Sequence, residues 1–150
     1  MSKWDNRFFD IAKLVASWSK DKSTKVGAVI VNDDRRILGT GYNGFPPGVN
    51  DDVVERHERP VKYDFTEHAE PNAIHHSIGD LKGSTIYVTH MPCAGCTRTI
   101  ITAKISTIKF IEALPHWKKD SGPVMAMLKE VGIDLYQIDT KIETVDDIKW

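Results

Sequence analysis

The chain of 150 residues predicts a three-layer α/β/α fold on a mixed five-stranded sheet. Three observations carry that prediction. Val26 to Val31 is a continuous apolar run between polar residues, as a strand buried on both faces requires. Asn32-Asp33-Asp34-Arg35 is turn chemistry that returns the chain into a second extended segment, so these two strands form a hairpin. Beyond the hairpin, single helical and strand-like segments alternate, which favours parallel pairing with helices over both sheet faces.

In chain order, Trp4 to Trp18 reads as an amphipathic helix. Trp4, Phe8, Ile11, Ala12, Val15 and Trp18 recur at three- and four-residue steps, so these aromatics are expected in the core. Ser19 to Lys25 is a polar loop, followed by the hairpin, whose second strand starts at Ile37. That strand runs into Gly39-Thr40-Gly41-Tyr42-Asn43-Gly44, a literal G-x-G-x-x-G. A dinucleotide fingerprint must open a helix, and Phe45-Pro46-Pro47-Gly48 cannot start one cleanly, so that reading is rejected. The glycines are expected to permit an unusual backbone path and close approach by a ligand. Gly48 to Thr66 is a long polar connection, which is functional, or partly helical, or else a solvated surface segment. Helices are then expected over Ala69–Ile78, with Pro71 in the first turn, over Cys93–Ala103 and over Gly122–Val131. Strands are expected over Ser84–Thr89, Ile105–Glu112 and Ile133–Ile138, and the remaining tail is polar.

Composition narrows the function classes. Twenty Lys and Arg against twenty-one Asp and Glu give a net charge of −1, so no basic excess points to a nucleic-acid polymer. The longest apolar runs are too short to span a membrane, and no apolar signal region follows Met1, so a cytoplasmic protein is expected. The length suits one compact domain over residues 1–150.

The chemistry concentrates in His68-Ala69-Glu70 and Pro92-Cys93-Ala94-Gly95-Cys96. The chain has two cysteines, three residues apart, a separation at which both thiolates on a first helical turn can grip one metal ion. One histidine and two cysteines leave the fourth zinc position to water, which marks a catalytic site. Glu70, two residues after the histidine, would stand beside that water as proton carrier. A redox cysteine pair would not need a preceding H-x-E element. A closed structural site would need a fourth ligand, and none of His57, His75, His76, His90 and His116 sits at finger-like spacing. H-x-E followed by P-C-x-x-C is the signature of zinc base deaminases.

On these residues the chain resembles the cytidine deaminase superfamily and, within it, the deoxycytidylate (dCMP) deaminases, over about Trp4 to Ile138. Ser19 to Val31, Gly41 to Pro46, Asn72 to Ile74 and the two zinc motifs carry the resemblance. It implies a cytidine deaminase-like fold, a single zinc-dependent domain, and conversion of dCMP to dUMP and ammonia for thymidylate synthesis. It also implies one Zn²⁺ per subunit held by His68, Cys93 and Cys96, with Glu70 as proton shuttle. Asn43 and Ala69 are expected against the substrate. Gly41, Tyr42, Gly44 and Phe45 are expected near an allosteric site for dCTP, an activator, and dTTP, an inhibitor. The resemblance further implies a homohexamer and admits Mg²⁺ beside an allosteric triphosphate. Pro71 stands where relatives often carry an apolar residue, which would alter the helix start.

A monophosphate substrate needs cationic or N–H donors. Lys25, Arg98 and the segment from His116 to Lys119 are the candidates, and Trp117 either stacks on the base or packs. The rival readings are a deaminase for another substrate, including adenosine in transfer RNA, and a non-catalytic nucleotide sensor, which would have no need of Glu70.

Overall fold

The structure is a computed structural model that describes residues 2–150. Helix α1, Lys3–Ala16, starts where the Ser2 side chain accepts the Asp5 N–H at 3.0 Å. It buries Phe8, Phe9, Ala12, Val15 and Ala16. The helix ends two residues before Trp18, which is 54% exposed and meets Tyr42 edge-on instead of entering the core. The apolar stripe is already complete at Ala16.

Strands β1, Gly27–Val31, and β2, Ile37–Tyr42, form the expected antiparallel hairpin. β3, Thr85–His90, pairs antiparallel with β1 and parallel with β4, Thr107–Glu112, which pairs parallel with β5, Asp134–Gln137. The sheet has six strands, not the expected five, in the order β2-β1-β3-β4-β5-β6. The added strand is β6, Thr140–Lys141, a two-residue antiparallel partner of β5. It is too short and polar to show an alternating pattern, but behind it Ile142 and Ile148 are buried in the core.

The alternation of side chains along β1 separates the two cores, as strand geometry demands. Val29 and Val31 face Phe8, Phe9 and Ala12 of α1, with Tyr87 of β3. Ala28 and Ile30 face the other way, into a larger core with Ile86, Val88, Ile108 and Phe110. Helices α3, Ala69–His75, α4, Ala94–Thr102, and α5, Ser121–Val131, cover that second face. Helices thus lie on both faces, as the sequence predicts. Right-handed crossovers explain why α4 and α5 share a face, since both link neighbouring parallel strands in the same direction.

The glycines of β2 admit a helix and not a ligand. A Cβ on Gly39 would lie 2.7 Å from the Ala73 carbonyl oxygen, and one on Gly41 2.3 Å from the Ala73 nitrogen. Helix α3 therefore rests its backbone directly on β2. Pro71 sits buried in the first turn of α3 without displacing its start, because a first-turn N–H has no intrahelical partner to lose.

The connection from Gly48 to Thr66 holds a 3₁₀ turn, Val54–His57, and a short helix α2, Lys62–Phe65. Most of it is exposed to solvent, but it is anchored at several points. Gly44 and Glu67 exchange backbone hydrogen bonds of 3.1 and 2.8 Å, and Phe45 stacks on His57 at 4.7 Å between ring centroids. No helix among the described residues is long and apolar enough to cross a membrane.

Candidate active site

His68 and Cys93 are 25 residues apart in sequence, and each is the N-cap of a helix, α3 and α4 respectively. The two helices thus aim their N-termini at one place, where unpaired N–H groups and the helix dipole favour negative charge. His68 Nδ1 lies 3.2 Å from Cys96 Sγ and 3.6 Å from Cys93 Sγ. The three ligand atoms lie within 4.8 Å of one another, and among the described residues they form the one cluster able to hold a metal ion. Cys93 Sγ also accepts the Cys96 N–H at 3.5 Å, which fixes the first turn of α4.

The electrostatics suit a cation. The neighbouring Cys96 thiol, with His68, holds the Cys93 thiol down at about 4. The same pairing with Cys93, together with burial, pushes Cys96 up. The hydrogen bond to Cys93 raises His68 above its ordinary value. Two soft thiolates and one imidazole, compact and with no fourth protein ligand among the described residues, fit zinc with an open position. Glu70, in the first turn of α3, is 3% exposed, and burial pushes its carboxyl up to about 7.

A cavity of about 510 Å³ opens on this cluster, within the roughly 300–1,000 Å³ range of small-molecule sites. His68, Ala69 and Glu70 line it, as do Asn43, His116 and Trp117. The Trp117 ring stacks on the His68 ring, 5.9 Å between centroids at 15°. Asn43 is buried and braces the wall: its Oδ1 accepts the Val26 N–H at 2.8 Å and its Nδ2 donates to the Thr24 carbonyl at 2.9 Å.

Other expected residues lie elsewhere. Lys25 is exposed and does not line the cavity, because the strand begins after it and Val26 takes the inward position. Arg98, Lys118 and Lys119 are likewise exposed and outside the lining. Gly41 is buried under α3, while Tyr42, Gly44 and Phe45 line a second, smaller cavity of about 70 Å³ with Lys20, Asp51 and His57.

Sequence reasoning missed Asp21, Arg59 and Lys62, which line the main cavity. It also missed Asp120, whose Oδ2 accepts the Ala94 N–H at 3.0 Å and caps the cysteine helix. A lysine within a charged stretch carries no local signal of burial. Asp120 just before the last helix could have been read as a cap, though not of which helix.

A His/Cys/Cys cluster with a buried glutamate, on helix N-termini beside a mixed sheet, is the arrangement of zinc-dependent base deaminases. A family model described as "Cytidine and deoxycytidylate deaminase zinc-binding region" matches residues 2–112, and the chain belongs to this family. An uncharacterized deaminase in the luxG 3′ region of Aliivibrio fischeri is 43% identical over 139 residues, covering 90% of this chain and 93% of that protein. The deoxycytidylate deaminase of Mus musculus is 34% identical over 149 residues, covering 95% of this chain and 84% of its own. The crystal structure of dCMP deaminase from the cyanophage S-TIM5 in complex with dCMP and dUMP superposes with a TM-score of 0.74 at 25% identity. That match covers 91% of this chain and 98% of the phage protein.

Proposed function

We propose that the chain deaminates dCMP to dUMP and ammonia, with zinc held by His68, Cys93 and Cys96. The observation that carries this reading is the buried Glu70 beside the three-ligand cluster, at the floor of a cavity sized for a small molecule. Similarity to deoxycytidylate deaminases supports dCMP as the substrate.

Zinc bound there supplies Lewis-acid activation of a water nucleophile. Glu70 takes the proton released by that water and delivers it to ring N3 of cytosine as the oxygen bonds to C4. It then carries the remaining hydroxyl proton to the amino group, which leaves as ammonia while the C4 carbonyl forms. A carboxyl poised near neutrality can serve both as acceptor and as donor. Trp117 and His68, stacked together, wall the base end of the cavity. Asn43 and Ala69 line the same cavity, which supports their expected contact with the substrate.

Regulation by dCTP and dTTP belongs to this reading through the family resemblance alone. Tyr42, Gly44 and Phe45 share the wall of the second cavity, which at about 70 Å³ is too small to hold a triphosphate by itself. Mg²⁺ would accompany such a triphosphate, and a homohexamer in the cytoplasm supplying dUMP for thymidylate synthesis fits the same reading. The test is a substrate panel of dCMP, dCTP, deoxycytidine and cytosine, run with and without dCTP and dTTP and read by chromatography. Formation of dUMP from dCMP is expected. Turnover of other members of the panel with none of dCMP would overturn the substrate assignment.

A further inference from the structure

The main cavity has one lysine in its lining, and that lysine is buried. Lys62 of α2 is 8% exposed, whereas Lys25, Arg98, Lys118 and Lys119 stand outside. Among the described residues its ammonium makes one ion pair, with Asp21 at 3.3 and 3.5 Å, and lies 5.7 Å from the centroid of the Tyr63 ring. Charge-assisted N–H···O bonds are ordinarily about 2.7–2.9 Å, so this pair is loose. Asp21 does not need the lysine to stay in place. Its Oδ1 already accepts the Ser23 and Thr24 N–H groups at 2.8 and 3.0 Å. An ammonium has three donors, and one loosely held carboxylate leaves capacity for another anion. Arg59, the cavity's other fixed cation among the described residues, is exposed and makes no ion pair among them.

We propose that Lys62, assisted by Arg59, is the ligand for the substrate's 5′-phosphate, and that this pair makes the cavity select nucleoside monophosphates over nucleosides. The inference rests on the deaminase reading of the same cavity and adds its specificity-determining residues. A phosphate monoester carries about −1.5 to −2 charge at neutral pH, the strongest available partner for a buried ammonium. Burial protects the attraction from salt, so Lys62 contributes more than the exposed Arg59. Asp21 then has a defined and opposing effect. It orients the ammonium while its own negative charge repels the phosphate.

Calorimetry with the product pair dUMP and deoxyuridine tests this without turnover. The intact protein should bind dUMP more tightly than deoxyuridine. In Lys62→Met that preference should fall by about 10- to 100-fold, the range for losing a hydrogen bond to a charged group. Arg59→Gln should lower it less. Asp21→Asn should raise it, because the repulsion goes and the cation stays. The double variant Asp21→Asn, Lys62→Met removes both charges, so no buried carboxylate is left unpaired, and it should lose the preference as Lys62→Met does. A purely structural ion pair would move Asp21→Asn and Lys62→Met in the same direction, and that result would overturn the proposal. So would an unchanged preference in the double variant. If the wild type binds dUMP with this pattern yet does not turn over dCMP, the deaminase reading fails and the phosphate site stands. Turnover of dCMP with an unchanged preference in Lys62→Met gives the reverse.

Discussion

The two ends of the main cavity are built from different materials. At the chemical end, His68, Glu70, Cys93 and Cys96 sit on the first turns of α3 and α4, helices packed on the sheet through fully buried Ala73 and Ile100. At the other end, Asp21 and Lys62 come from a loop and a four-residue helix and meet through charge across 41 residues of sequence. Rigid elements fix the reacting groups, and adaptable ones meet the part of the ligand that does not react. Lesions at the first end should therefore abolish turnover of every substrate, while lesions at the second should redistribute affinity among substrates.

Metal removal is the largest expected effect. Dialysis against a chelator should abolish turnover, and one equivalent of Zn²⁺ should restore it, with bound metal counted by mass spectrometry. Activity that survives at zero bound metal would break the comparison, because the helix N-caps would then not be the chemical end. Next comes Glu70→Gln, expected to lower kcat by about 10²- to 10⁴-fold. Bound zinc should remain at the wild-type level, since Glu70 is not among the three clustered ligands. Near-normal kcat in that variant would remove Glu70 from the proton pathway.

Gly41→Ala probes how firmly the chemical end is held. A new Cβ would lie 2.3 Å from the Ala73 nitrogen and 2.5 Å from the Ala69 carbonyl oxygen, so α3 must shift. Overpacking of this kind costs roughly 1–3 kcal/mol. Thermal unfolding should show it, and kcat should fall in parallel because α3 carries both His68, at its cap, and Glu70. An unchanged melting temperature would show that α3 adjusts without strain, and that the rigidity is overstated.

The same contrast explains what the sequence made legible. H-x-E and C-x-x-C are local spacings on helix starts, so their geometry follows from the helix itself, and the hairpin announced itself through an apolar run and a turn. The packing role of Gly41 was invisible because the residue that demands it, Ala73, lies on another element. β6 was missed because two residues show no period, and Trp18 was misplaced because helical spacing continued past the end of the helix. Lys62 was missed for the most general reason. An ion pair between distant segments leaves no mark in either one, and Lys25 looked the better candidate only because it adjoins a strand.

Asp21→Asn gives the smallest effect and the sharpest separation. Burial alone pushes the Asp21 carboxyl up, but the Thr24 and Ser23 N–H groups and Lys62 outweigh it and hold it below the usual carboxylate value of 3.8. A folded-state pKa below the unfolded one means that the charge stabilises the fold above the unfolded value, and that this stability is lost as pH falls through the folded value. Asp21→Asn should therefore be less stable than wild type at pH 7, by about 1 kcal/mol, because the amide oxygen still accepts the two N–H bonds and only the added strength of a charged acceptor is lost. The gap should close as pH drops from about 4 downward, where the wild-type carboxylate itself becomes protonated. Urea unfolding at a series of pH values measures it. A gap of constant size into acid would assign the loss to altered loop shape instead of charge. The expected result carries a further consequence: the substitution that loosens the fold at neutral pH is the one that should tighten monophosphate binding. At this end of the cavity, charge that steadies the loop also limits the grip on substrate.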